Sequence, residues 1–139
     1  MIVVDTSGLL ALIDPIQHDH ERVAAAVERE TGPYLLSTFI LAELDYLLST
    51  RVSIDAELAF LRRVGAGDYA VESFDDDEIT AAAALIERYR GQGIGLADAS
   101  IVVLAARAET NRILTLDERH FRVIQPIRGG SFTILPADA

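Results

Sequence analysis

Cysteine and lysine are both absent from this 139-residue chain, and each absence removes a set of functions. Without cysteine there are no disulfides, no thiolate nucleophile and no cysteine-based zinc site. Without lysine there is no Schiff-base chemistry and no phosphate-binding loop of the GxxxxGK[ST] form. All 12 basic residues are therefore arginine, a bias that genomic base composition explains without a functional cause. Long apolar runs are missing as well. The longest are AAAALI at 81–86 and IVVLAA at 101–106, against roughly 20 residues for a membrane-spanning helix. The amino terminus carries neither a basic region nor a small-residue cleavage site, and Asp5 interrupts its apolar run. No signal peptide or membrane segment is predicted, and a cytoplasmic protein is expected. Positive charge is also scarce: 22 acids face 12 bases, and the net charge of −10 argues against an open basic surface that binds nucleic acid by charge alone.

What remains is ordinary globular composition, 50% apolar and 24% charged, at a length that suits one domain spanning residues 1–139. Strand and helix signals alternate along it. Ile2–Val4 reads as a short buried strand, and Ser7–Ile13 as a helix stopped by Pro15. A polar-faced helix from Asp19 to Thr31 ends at Gly32-Pro33, and Tyr34–Leu36 reads as a second strand. Thr38 suits an N-cap for a helix from Phe39 to about Ser49, and another helix spans Asp55 to Val64. Tyr69–Ser73 alternates as a strand. The DDDE at 75–78 reads as a helix start with Asp75 as the cap, rather than as a metal cluster. After a loop at Gly91–Gly95, a strongly apolar helix runs from Leu96 to about Ala108, followed by strands at Arg112–Leu116 and Phe132–Leu135. Helical crossovers between strands imply a mostly parallel sheet, of four to five strands, covered by helices on both faces.

In such a sheet, ligands bind outside the carboxyl ends of the strands. Asp5 closes the first strand and Asp117 closes RILTL, so two acids stand at that edge. Glu43 lies about one turn into the helix entered from the second strand, and Asp98 lies in the first turn of the helix after the glycine loop. Asp98 alone would serve as a helix-dipole residue, and Asp117 alone as a turn or cap residue before ERHF. Glu43 has no such alternative, because its helix FILAELDYLL is apolar nearly all round. Asp45 falls on roughly the opposite face and reads as exposed or ion-paired. Four crowded carboxylates without lysine would repel one another, and a divalent cation relieves that repulsion. Mg²⁺ and Mn²⁺ take hard carboxylate oxygens and organise in-line attack on phosphodiesters. The hydroxyls of Thr6, Ser7 and Thr115 are placed to hold waters or carboxylates. A phosphoacceptor receiver would need paired acids after the first strand and a lysine after the last. A haloacid-dehalogenase-type phosphatase would need Asp-x-Asp where this chain has Asp-Thr-Ser. Both are excluded.

The segments VVDTSGLLALID, STFILAELDYLL, GIGLADASIVVLA and ILTLDERHF, in this order and spacing, resemble the PIN-domain ribonucleases, most closely the toxin of VapBC toxin–antitoxin modules. The resemblance covers essentially the whole chain. It implies a three-layer α/β/α fold with an acidic site of Asp5, Glu43, Asp98 and Asp117, supported by Thr6 or Ser7 and by Thr115. It implies one or two Mg²⁺ or Mn²⁺ ions, held by Asp5 and Asp98, with Glu43 and Asp117 binding directly or through water. It further implies endoribonuclease cleavage of RNA by a metal-activated water, leaving 5′-phosphate and 3′-hydroxyl ends. A homodimer and a cognate VapB-type antitoxin follow from the same resemblance. A PIN nuclease of RNA processing, and a non-catalytic PIN-fold binding module, are the alternatives. His18-Asp19-His20 and His120 read as surface residues, and Arg51, Arg88, Arg90, Arg112, Arg119 and Arg122 are the candidates for RNA contact.

Overall fold

The computed structural model describes all 139 residues. Ile2–Val4 forms β1, and its three residues are wholly buried because strands pair on both sides and helices cover the sheet. The other strands are β2 (Tyr34–Ser37), β3 (Ala70–Glu72), β4 (Arg112–Leu114) and β5 (Thr133–Leu135), in the spatial order β3-β2-β1-β4-β5. Every pairing is parallel, with Val3 opposite Leu35 on one side and Ile113 on the other. Parallel neighbours need crossovers, which seven helices supply: α1 (Thr6–Ile13), α2 (His20–Glu28), α3 (Thr38–Leu47), α4 (Ile54–Gly65), α5 (Asp76–Arg88), α6 (Leu96–Ala108) and α7 (Glu118–Phe121). The result is a three-layer α/β/α fold around a five-stranded parallel sheet.

The chain leaves β1 for β2 on one side and reaches β4 on the other, so the strand order reverses at the carboxyl ends of β1 and β4. That reversal point is where an open parallel sheet presents a crevice. Packing there is close. A Cβ on Gly8 would stand 2.6 Å from the carbonyl oxygen of Leu114, so α1 rests against β4 only because residue 8 has no side chain. On α6 every residue from Ala99 to Ala105 is buried, which accounts for its lack of a polar face.

Local chemistry explains where elements begin and end. Asp75 accepts from the Glu78 N–H while the Glu78 carboxylate accepts from the Asp75 N–H, the reciprocal cap expected at DDDE. At the start of α3 the cap is Ser37 rather than Thr38, its hydroxyl accepting from the Phe39 N–H at 3.2 Å. After Leu47 the chain passes through one π-helical turn, Leu48–Val52. Ser49 and Thr50 both donate hydroxyls to the Tyr46 carbonyl, competing with its helical bond, and this competition loosens the last turn. The helix α7 was not anticipated. It is a single turn, too short to show periodicity, and is held by the Asp117 cap and by Phe121, which packs edge-on to Phe132 at 5.9 Å. No helix is long and apolar enough to cross a membrane.

Candidate functional site

Asp5 follows β1 directly and is 5% exposed, an unusual place for a carboxylate. Its Oδ2 accepts two hydroxyl hydrogens, from Thr115 at 2.6 Å and from Ser7 at 3.1 Å. Thr115 follows β4, so this contact joins the ends of the two central strands. The Ser7 hydroxyl lies 3.1 Å from that of Thr115 and accepts from the Leu116 N–H, while the Thr115 hydroxyl accepts from the Asp117 N–H. Ser7 and Thr115 thus both bond to the Asp5 carboxylate. The Thr6 side chain does not: its Oγ1 is buried without a partner, and Thr6 favours the charged form of Asp5 through its backbone alone, beside the hydroxyls of Thr115 and Ser7.

Despite these donors, the Asp5 carboxyl is pushed up to about 6, chiefly by burial and in part by the charge of Asp98. Asp98 is raised too, first by desolvation, with Asp117 and Glu43 adding negative charge and the Gly95 N–H and His120 opposing. Asp98 is therefore the electrostatic centre of the four acids that the sequence singles out, since each of the others bears on it or is borne on by it. Three stretches of chain deliver the other acids. Glu43 projects from α3 and is exposed. Asp98 is three residues into α6 from Gly95, whose N–H donates to its Oδ2 at 3.3 Å. Asp117 caps α7 and accepts from the His120 N–H at 3.0 Å. No three carboxylates or imidazoles converge closely enough to ligate one ion by themselves.

Two features of the site escaped sequence reasoning. His120 is half-buried and held on both sides of its ring: its Nδ1 lies 2.7 Å from Asp117 Oδ2 and its Nε2 lies 2.8 Å from the Gln92 carbonyl. Ser37 and Ser100, both buried, share a hydrogen bond of 2.7 Å that ties the end of β2 to α6 two residues beyond Asp98. Nothing in the spacing of single serines announces such a pair. Asp45 is also corrected. It is half-buried with one oxygen unpartnered, and it meets no cation but Glu57, whose carboxyl it raises by hydrogen bonding. The histidines near residue 19 divide: His18 is fully exposed, whereas His20 binds the Ala11 carbonyl at 2.7 Å.

Arginine pairing narrows the candidates for RNA contact. Arg90, Arg112 and Arg122 are engaged by Glu87, Glu30 and the Glu118–Asp138 pair respectively. Arg51, Arg88 and Arg119 have no carboxylate partner, and Arg119 sits on α7 beside Asp117. A separate cavity of about 710 Å³ is lined by residues that include Leu12, Val27, Phe60, Tyr34 and Tyr69. Tyr34 begins β2 and Tyr69 precedes β3, so the cavity lies at the amino edge of the sheet, away from the acids.

Asp5 and Asp117 thus stand just beyond β1 and β4, where the strand order reverses and an open parallel sheet binds its ligands. The sequence profile of the PIN domain matches residues 2–125, and the chain belongs to the PIN-domain family. It is 44% identical to ribonuclease VapC26 of Mycobacterium tuberculosis over 135 residues, which is 97% of this chain and all of that protein. Among solved structures it is similar to VapC20 of Mycobacterium tuberculosis, a sarcin–ricin loop cleaving toxin, with a TM-score of 0.79 and 20% identity over 85% of this chain and 91% of that one. DNA-bound VapBC from Salmonella typhimurium is similar with a TM-score of 0.63 and 19% identity, over 96% and 97% of the two chains.

Proposed function

We propose that this protein is a divalent-metal-dependent endoribonuclease and the toxin of a VapBC-type module, acting in the cytoplasm on an RNA phosphodiester. The observation that carries the reading is the buried Asp5 carboxylate, held on one oxygen by Thr115 and Ser7 and pushed toward its neutral form by burial first and by the charge of Asp98 second. No side chain donates to its other oxygen, Oδ1, which a cation could take. The donor set suits Mg²⁺ or Mn²⁺, which prefer hard oxygens and are bound through one or two carboxylates, with water and substrate phosphate completing the shell. Asp5 and Asp98 would hold the ion, and Glu43 and Asp117 would act directly or through water. A bound ion supplies a nucleophilic water at neutral pH and stabilises charge on the transferring phosphate.

The chain's own groups do the rest. Ser7 and Thr115 fix the Asp5 carboxylate, and the Gly95 N–H fixes Asp98, so neither acid reorganises when substrate enters. Arg119, exposed, without a carboxylate partner and two residues from Asp117, is the arginine assigned to the RNA backbone in this reading. A ribonuclease among the relatives supports RNA as the substrate, and solved VapBC assemblies support a VapB-type antitoxin as partner. The net charge of −10 favours a partner with basic groups. A homodimer is part of the same proposal.

The test is cleavage of RNA by purified protein with Mg²⁺ or Mn²⁺, its loss under chelator, and its loss in Asp5→Asn and Asp98→Asn variants of unchanged circular dichroism. Undiminished cleavage by Asp5→Asn would overturn the assignment of the site.

A further inference from the structure

Asp117 differs from the other acids of the site in that both of its oxygens are engaged by a single residue. Oδ1 accepts from the His120 backbone N–H at 3.0 Å, and Oδ2 faces His120 Nδ1 at 2.7 Å. The far side of the same ring faces the carbonyl of Gln92 at 2.8 Å. A carboxylate and a carbonyl only accept hydrogen bonds, so the imidazole donates through both nitrogens. Gln92 belongs to the short loop that leads into α6: Gly93 turns it with φ of +67°, Ile94 buries itself at 5% exposure, and the Gly95 N–H meets Asp98. The ring therefore spans from the strand-end acid of β4 to the loop that sets the position of the α6 acid. Phe121, the next residue, is 2% exposed and anchors α7 in the core, so the ring projects from a fixed base.

We propose that His120 is a positioning residue that clamps Asp117 to the Gln92–Gly95 loop and thereby fixes the separation of Asp117 from Asp98. It rests on the metal-dependent nuclease reading given above, and it narrows that reading. With one hydrogen bond from His120 on each oxygen, Asp117 would be held in a fixed orientation toward any ion that Asp5 and Asp98 bind.

Three variants separate the two arms of the clamp. In His120→Asn the amide nitrogen takes the place of Nδ1 and keeps the Asp117 bond. In His120→Gln it takes the place of Nε2 and keeps the Gln92 bond. His120→Ala keeps neither. With RNA and saturating Mn²⁺, His120→Ala is expected to lose about tenfold to a hundredfold in kcat, the usual cost of removing a group that orients a ligand, with KM little changed. Asn and Gln variants should fall between it and wild type. Hydrogen exchange of residues 91–95, measured without metal or RNA, should rise in the Ala and Asn variants and stay near wild type in Gln. Wild-type kcat in His120→Ala, or full rescue by Asn alone, overturns the clamp while leaving the nuclease reading intact. If the wild type cleaves no RNA, the nuclease reading fails, and the exchange pattern still decides whether the ring holds the loop.

Discussion

Thr115 donates its hydroxyl to Asp5 Oδ2 across 2.6 Å, and the same oxygen atom of Thr115 accepts from the Asp117 N–H at 2.9 Å. One fully buried side chain thus joins the acid after β1 to the acid after β4. Thr115→Val keeps the shape and deletes both bonds, leaving a buried carboxylate oxygen and a backbone N–H short of partners. The expected cost is about 1–3 kcal/mol in a urea titration. Cleavage should fall by about tenfold to a hundredfold, because Asp5 loses its closest orienting donor. A valine variant with wild-type stability and rate would mean that Ser7 alone suffices.

Asp5 sets function against stability. Its folded carboxyl titrates near 6 while the unfolded value is 3.8, so the folded state holds a proton that the unfolded chain has released between those values. Stability from this group is complete below the unfolded value and is lost as pH rises through about 6. At neutral pH in the absence of divalent ions the ionised form costs on the order of 3 kcal/mol. Asp5→Asn removes the charge, and is expected to raise the melting temperature in chelator at pH 7 while abolishing cleavage. The gain should shrink at pH 4, where the native carboxyl is already protonated. A variant that melts lower than wild type at pH 7 would count against burial as the cause of the shift.

The opposite sign holds at the carboxyl terminus. Arg122 and the Ile134 N–H hold the Asp138 carboxylate down to about 2, against 3.8 when unfolded. That stabilisation is present above the unfolded value and disappears as pH falls through about 2. Asp138→Asn should therefore leave the neutral protein slightly weakened and flatten the loss of stability between pH 4 and pH 2. Because the pair is solvent-exposed, the effect should be small and should diminish in high salt. An unchanged acid limb would show that other carboxylates govern it.

The chain order of strands and long helices was legible because burial leaves a trace: IVV is a uniform apolar run, RIL ends in two buried apolar residues, and α6 begins at Leu96 and ends at Ala108 as the sequence predicts. The placing of Asp5 and Asp117 just beyond β1 and β4, of Glu43 within α3 and of Asp98 in the first turn of α6 was legible for the same reason, since each acid sits at a fixed place relative to a strand or helix start. What was not legible depends on contacts distant in sequence. His120 looks like a surface residue until the Gln92 carbonyl is brought against it. The choice of Ser7 over Thr6 depends on which hydroxyl of the first turn of α1 faces β4. The cap of α3 shifts by one residue because β2 extends through Ser37, whose hydroxyl then serves both the Phe39 N–H and Ser100.

Gly8 carries the last prediction. At this place in DTSG the geometry leaves no room for a side chain. A Cβ at residue 8 would stand 2.6 Å from the Leu114 carbonyl oxygen and 2.9 Å from its carbonyl carbon, atoms fixed in the central sheet. The β4 backbone cannot yield without disturbing its parallel pairing to β1 and β5, so α1 must move outward instead. Ser7, one residue before, would be carried off Thr115 and the Leu116 N–H by the same motion. Gly8→Ala is therefore expected to lose about 1–3 kcal/mol through overpacking, despite alanine's better helix propensity. Cleavage should fall further than Tm alone accounts for, measured at a temperature where both proteins are fully folded. A Gly8→Ala protein with raised Tm and intact activity would show that α1 can accommodate the methyl group without moving Ser7.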